Sequence, residues 1–208
     1  MEEVLDLYQQ AYDPRFPLVC MDEKSKQVLA DLRPALLAHP GQVRRQDFEY
    51  ERQGTSNLFI AFEPLRSWRQ VVVTTQRTAV DWAHFMQQLA DVQYPDAERI
   101  VIVLDNLNTH HASSFYEAFA PPEARRLAQR FEFHYTPKHG SWLNMAEIEL
   151  SVLDHMCLDQ RFESRQRMTS EVAIWQQERN AKHATVNWRF TTDDARIKLK
   201  KLYQSILV

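Results

Sequence analysis

Apolar positions in the first half of the chain cluster in short runs, and in the second half they spread to helical spacing. Glu2 to Tyr12 reads as a helix, closed before Asp13-Pro14 because the residue ahead of a proline is pushed out of helical geometry. Leu18 to Met21 is a short apolar strand that delivers Asp22, and Gln27 to Leu32 reads as its hairpin partner. Pro34 to Arg45, with Pro34, Pro40 and Gly41, reads as a loop. Asn57 to Phe62 and Trp68 to Thr74 are rich in aromatic and β-branched residues around a Glu-Pro turn, the signature of a hairpin.

The period changes after that hairpin. Thr78 to Val92 carries Val80, Ala83, Phe85, Met86 and Leu89 near helical spacing, with Asp81 in an acidic first turn. Arg99 to Leu104 is a continuous apolar run, as expected of a strand buried on both faces of a parallel sheet. Ser113 to Phe119 and Pro122 to Arg130 read as helices, Phe131 to Tyr135 as a strand, and Leu143 to Cys157, Ser170 to Ala181 and Thr192 to Tyr203 as helices. The order is an antiparallel meander followed by α, β, α, β, α, which predicts an α/β fold with a mixed sheet flanked by helices.

In such a sheet the strands ending at Asp22 and Asp105 can lie side by side and parallel, and ligand sites form at the edge where carboxyl ends meet. A helix after the last strand brings Glu147 over that edge. Three converging carboxylates repel one another strongly at low dielectric unless cations intervene. Hard oxygen donors with no cluster of His or Cys suit Mg²⁺, with Mn²⁺ close behind. Two such ions are suited to phosphodiester displacement. With 28 Asp and Glu in the chain, however, spacing alone does not separate this reading from a chance triple of solvated acids.

Composition narrows the alternatives. The 208 residues suit one domain, and 44% hydrophobic with 25% charged residues is ordinary for a soluble protein. No apolar run reaches the length of a membrane span, and the first residues lack the pattern of a signal peptide, so a cytoplasmic location is expected. Gly41, Gly54 and Gly140 are the only glycines, which excludes glycine-rich loops for ATP or NAD phosphates. A net charge of −3 argues against avid DNA binding by this chain alone, although an acidic metal site lowers the total and bound cations restore it locally. Cys20 and Cys157 read as packed thiols, and Trp82 and Trp175 as core.

The local sequence around each acid is more specific. Val19-Cys-Met-Asp22-Glu-Lys-Ser, Leu104-Asp105-Asn-Leu-Asn-Thr-His110 and Tyr135-Thr-Pro-Lys-His-Gly-Ser-Trp-Leu-Asn-Met-Ala-Glu147-Ile-Glu resemble the three motifs of the DDE transposases, in the bacterial insertion-sequence branch of the mariner-like superfamily. Tyr50-Glu-Arg-Gln-Gly-Thr-Ser-Asn-Leu-Phe, Arg77-Thr-Ala-Val-Asp-Trp-Ala and Asn187-Trp-Arg-Phe-Thr-Thr-Asp-Asp-Ala-Arg extend the likeness along nearly the whole chain. The resemblance implies a ribonuclease-H-like fold at 18–182, preceded by an N-terminal helix and linker at 1–17 and followed by a C-terminal helical extension at 183–208 packed on the same domain. It further implies cut-and-paste DNA transposition by metal-dependent cleavage and strand transfer, two catalytic Mg²⁺ or Mn²⁺ ions, and a homodimer acting on transposon ends and target DNA. Members carry helix-turn-helix readers ahead of the catalytic domain. With 21 residues before Asp22, such a module is expected on a separate segment or chain. A metal-dependent nuclease without strand transfer, and an inactive remnant that binds DNA or dimerises, are the alternatives.

Carried over residue by residue, Asp22, Asp105 and Glu147 are the expected metal ligands and catalytic acids. Glu149 competes with Glu147, because two positions on a helix turn the side chain by about 200° and both cannot face one site. Periodicity sets Glu149 among Met145, Val152, Leu153 and Met156, and Glu147 on a polar side with Ser151 and Asp154. A buried-facing carboxylate has its own physical case, whereas the pattern Leu-Asn-x-x-Glu points to Glu147. Asn106 and His110 are candidates for orienting ligands or phosphate, set against an ordinary surface His. Lys138, His139 and Trp142 combine cations with an aromatic and suit contact with nucleic acid, although Trp142 serves equally as helix-edge packing. Arg196 to Lys201 reads as the solvated face of a terminal helix.

Overall fold

The computed structural model describes residues 1–33, 38–43, 48–138 and 140–200. Five strands form one sheet in the order β3-β2-β1-β4-β5. These are β1 (Leu18–Asp31), β2 (Tyr50–Glu63), β3 (Trp68–Thr74), β4 (Ile100–Leu104) and β5 (Phe131–Tyr135). β1, β2 and β3 pair antiparallel, while β4 pairs parallel with both β1 and β5. The helices are α1 (Glu2–Leu7), α2 (Ala79–Gln88), α3 (Ser114–Ala118), α4 (Pro121–Arg130), α5 (Met145–Leu153), α6 (Arg165–Ala181) and α7 (Thr192–Lys198).

Alternation along the central strands sorts the apolar side chains into two cores, one on each face of the sheet. Leu18 and Cys20 of β1, Leu58, Ile60 and Phe62 of β2, and Val101 and Val103 of β4 pack with α1, α5 and α6. Val19 and Met21, Phe59 and Ala61, and Ile100, Ile102 and Leu104 pack with α2, α3 and α4, around the fully buried Trp82. Trp175 lies in the first core, and both cysteines are buried and free. No helix among the described residues is long and apolar enough to cross a membrane.

Several boundaries differ from the sequence expectation. Gln27 to Leu32 is not a hairpin partner of the first strand: through Asp31 it is that strand's continuation, paired with β2 through a bulge between Gln27 and Leu29. The polar stretch Glu23 to Lys26 resembles a turn in composition, yet its backbone pairs with Phe59 to Ser56. Strand pairing uses backbone groups, so partly exposed polar side chains do not interrupt it. Asp22 therefore lies inside β1 and not at its end. α1 stops at Leu7, and α6 begins earlier than expected, where Ser164 accepts a hydrogen bond from the Arg167 amide. α2 opens with a capping box in which Thr78 and Asp81 satisfy each other's backbone amides, and it runs into a π-helical turn at Leu89–Gln93. The helix expected over Leu143 to Cys157 is a 3₁₀ turn (Ser141–Leu143), α5, and a π-helical turn (Asp154–Leu158). The expected loop from Pro34 to Arg45 and the end of the last helix fall partly outside the described residues.

The first and last described helices, α1 and α7, meet in the first core. Val4, Leu5, Leu7 and Tyr8 of α1 are buried there together with Ala195 of α7. Arg196 forms a forked ion pair with Glu2 at 2.8 and 2.9 Å.

α5 is held by a buried ion cluster. Glu149 is fully buried and receives the Arg179 guanidinium at 2.8 and 3.3 Å, with Arg69 Nε at 3.1 Å from Oε2. Arg69 is itself buried and held by Asn180 and by the Ala184 carbonyl. The charge that looked misplaced on an apolar helix face is thus neutralised by two arginines brought from β3 and α6. Removing one member of a buried ionic group strands the rest, at a typical cost of about 3–5 kcal/mol. Glu149→Gln is expected to lower the melting temperature strongly in calorimetry, whereas Glu147→Gln, at an exposed position, is expected to change stability by no more than about 0.5 kcal/mol.

Candidate active site

The parallel pairing of β1 with β4 runs Leu18 to Val101, Val19 to Ile102 and Cys20 to Val103. Two residues further along each chain stand Asp22 and Asp105, level with one another. By alternation Asp22 belongs to the face covered by α5, the face that Cys20 and Val103 also use, and Asp105 meets it in one cleft. β4 ends at Leu104, so Asp105 begins a loop, whereas β1 continues past Asp22 along β2.

α5 completes the edge. Asn144, buried and immediately ahead of the helix, accepts a hydrogen bond from the Ala146 amide as N-cap and donates Nδ2 to the Met21 carbonyl at 2.8 Å. One side chain therefore starts α5 and ties its first turn to the residue preceding Asp22. Tyr8 adds a second anchor, its hydroxyl donating to the Leu143 carbonyl at 2.7 Å. Glu147, in the first turn, then faces outward over the sheet edge while Glu149 turns into the ion cluster.

A cleft of about 560 Å³ results, lined by Asp22, Asp105 and Glu147 together with Glu23, Lys24, Arg77, Leu150 and Ser151 of α5, and Asp154 of the turn that follows it. Asp22 is 8% exposed. Burial raises its pKa most; the charges of Glu147 and Asp105 raise it further, against the opposing hydrogen bond from the Glu23 amide, and it stands at about 7. Two cations flank the acids and are engaged by other carboxylates: Lys24 by Asp154, and Arg77 by Glu23 Oε1 at 2.9 Å.

His110 is fully buried rather than a surface loop residue. Its Nδ1 lies 2.7 Å from Asp105 Oδ1 and its Nε2 3.2 Å from Glu23 Oε2. Burial pushes its pKa down, but the hydrogen bonds and charges of Asp105 and Glu23 outweigh this and raise it to about 9. With a carboxylate at each nitrogen, both nitrogens donate and the ring is an imidazolium at neutral pH.

The remaining candidates stand apart. Asn106 is exposed, and Lys138 and Trp142 are exposed and do not line the cleft. Trp142 meets Phe190 edge-on at 5.5 Å, the helix-edge packing weighed for it above. His139 lies outside the described residues. Sequence reading did not single out Glu23, Lys24, Arg77 or Asn144 as site residues. Only Asn144 carried a legible signal, an Asn directly ahead of an apolar helical run.

A family model described as DDE superfamily endonuclease matches residues 17–169, a span that contains all three acids. The chain belongs to the DDE superfamily endonucleases. Solved structures similar to this DDE endonuclease include the Mos1 mariner paired-end complex with Mn (17% identity, TM-score 0.56, covering 88% of this chain and 55% of that one). The Mos1 transposase paired-end complex with left transposon end (14%, 0.58, 88% and 56%) and the Mos1 strand transfer complex (18%, 0.55, 86% and 51%) are similar to the same degree. At these identities the likeness establishes the ribonuclease-H-like fold, and the chain spans about half the length of those proteins. No curated protein matches the sequence.

The donor set fits a hard divalent cation. No three His, Cys, Asp or Glu side chains among the described residues form a finished coordination cluster. Mg²⁺ and Mn²⁺ do not require one, since they are commonly held by one or two carboxylates with water and substrate phosphate filling the shell. The charges of Glu147 and Asp105, which add to burial in raising Asp22, are charges such a cation would neutralise.

The raised pKa of Asp22 has a thermodynamic consequence. A carboxyl whose folded pKa lies above its unfolded value binds protons more tightly when folded, so its contribution to stability falls as pH rises from about 4 to about 7. Asp22→Asn is expected to stabilise the fold at pH 8 in the presence of chelator by a few kcal/mol at most, read as a higher melting temperature, and to leave stability nearly unchanged at pH 4. Equal stabilisation at both pH values would show that folding does not raise the Asp22 pKa.

Proposed function

We propose that this chain is the catalytic domain of a DNA transposase in which Asp22, Asp105 and Glu147 hold Mg²⁺ or Mn²⁺ during phosphodiester cleavage and strand transfer. The observation that carries the reading is the convergence of three acids, from β1, the end of β4 and the first turn of α5, on one open cleft. Solved structures of similar fold are a Mos1 mariner paired-end complex with Mn, a Mos1 transposase paired-end complex with left transposon end and a Mos1 strand transfer complex, which supports the reading. When bound, a pair of divalent cations supplies Lewis-acid polarisation of the phosphate and stabilises both the entering and leaving oxygens.

The chain's own residues have separable tasks. Asp22 and Asp105, set level by the β1–β4 register, and Glu147, set by Asn144, provide the oxygen donors. Lys24 and Arg77 lie at the rim in exchangeable ion pairs and can turn to DNA phosphates, which orient the duplex without reading its sequence. The substrate nucleophile, water for cleavage and a 3′-hydroxyl for joining, enters the same cleft, so no covalent protein intermediate is needed. Transposon ends and target DNA as substrates, a homodimer as the working unit, and a helix-turn-helix reader on a separate module belong to the same reading. So do residence with the bacterial nucleoid and placement in the insertion-sequence branch, the latter on the three motifs quoted above.

The test is Mg²⁺- or Mn²⁺-dependent nicking and joining of a labelled, pre-cut oligonucleotide to a target plasmid. Asp105→Ala and Glu147→Gln are each expected to reduce joining by about 100-fold or more while the protein stays folded. Nicking without joining would favour a simple nuclease, and unimpaired joining by Asp105→Ala would overturn the site.

A further inference from the structure

His110 joins the two faces of the sheet. Glu23 alternates with Asp22 along β1 and so belongs to the opposite face, with Met21 and the Trp82 core. From that side the His110 ring reaches round the end of β4, touching Glu23 through Nε2 and Asp105 through Nδ1. Every degree of freedom of the ring is taken. It stacks on Trp82 at 5.8 Å and 27°, its amide donates to the Leu107 carbonyl at 3.0 Å, and its carbonyl accepts the Tyr135 hydroxyl at 2.9 Å. Glu23 is equally held, with 4% of its side chain exposed and its other oxygen on Arg77. Asp105, by contrast, sits on a loop with 30% of its side chain exposed and would otherwise be free to rotate.

We propose that His110, backed by Glu23, is a positioning residue that fixes the Asp105 carboxylate through Oδ1 and so leaves Oδ2 to face a divalent cation in the cleft. The inference rests on the cation site proposed above and adds to it a named supporting pair. Groups that orient a metal ligand from behind typically change metal affinity by about 10- to 100-fold when removed. A merely structural His would change stability and leave affinity alone.

The experiment is Mn²⁺ titration of the full chain by calorimetry, with melting temperature recorded for each variant. His110→Asn keeps an amide donor near the place of Nδ1 and loses the reach to Glu23; His110→Gln places its donor nearer Nε2 and loses Asp105. His110→Gln is expected to weaken Mn²⁺ binding by about 10-fold or more, and His110→Asn to recover much of that loss. Glu23→Gln, which keeps the side-chain shape, is expected to weaken binding by a smaller factor and serves as the test should His110→Gln fail to fold. Wild-type affinity in folded His110→Gln and Glu23→Gln, with binding lost in Asp105→Ala, would overturn the clamp and leave the cation site standing. Undiminished binding by Asp105→Ala would overturn the cation site, and the clamp with it.

Discussion

The parallel pairing of β1 with β4 is the contact on which the rest depends. It joins residues about eighty positions apart and is only three pairs long, yet it puts Asp22 and Asp105 level and in one cleft. A slip of one residue would turn one of the acids to the other face, because side chains alternate with period two. The register is held by burial on both sides: Cys20 and Val103 enter one core, Val19 and Ile102 the other. A strand buried on both faces cannot shift without exposing one apolar set, so the two cores that stabilise the sheet also set the geometry of the site.

α5 applies the same logic to a helix. Its two glutamates differ by two positions and have opposite surroundings: Glu149 is neutralised by Arg69 and Arg179, while Glu147 opens on the cleft. The ion cluster and the Asn144 link to Met21 act on different parts of the helix. One sets its rotation, and the other sets the position of its start against β1. A helix held at both points presents Glu147 with little freedom. The buried cluster serves orientation as much as stability, since buried ion pairs gain little net energy over apolar packing.

The cleft concentrates negative charge that the protein only partly neutralises. His110 compensates Asp105 and Glu23, Arg77 shares Glu23, and Lys24 takes Asp154. Asp22 is left against Glu147 and Asp105 with no basic partner of its own among the described residues, and its pKa near 7 reflects burial first and those like charges second. Strain of this kind is expected where a site is prepared for a cation, with stability given up locally for function.

The alternation and the apolar run at Ile100 to Leu104 made the mixed sheet legible, and the sequence around Asp22, Asp105 and Glu147 made the three acids and their family legible. Local rules sufficed there because periodicity, capping and motif are properties of neighbouring residues. They failed where polar residues such as Glu23 to Lys26 continue a strand, since that is decided by a partner strand and not by their own composition. They also left His110 undecided between an orienting residue and an ordinary surface His, and left Glu147 and Glu149 to be separated by motif. The surroundings of both positions come from residues far off in the chain: Glu23 is 87 positions from His110, and Arg179 is 30 positions from Glu149. The sequence by itself determined most of the elements and the motifs that carry Asp22, Asp105 and Glu147. Only the tertiary structure decided which carboxylate is neutralised, which is clamped and which faces the cleft, because charge compensation depends on distances that exist only once the elements have packed.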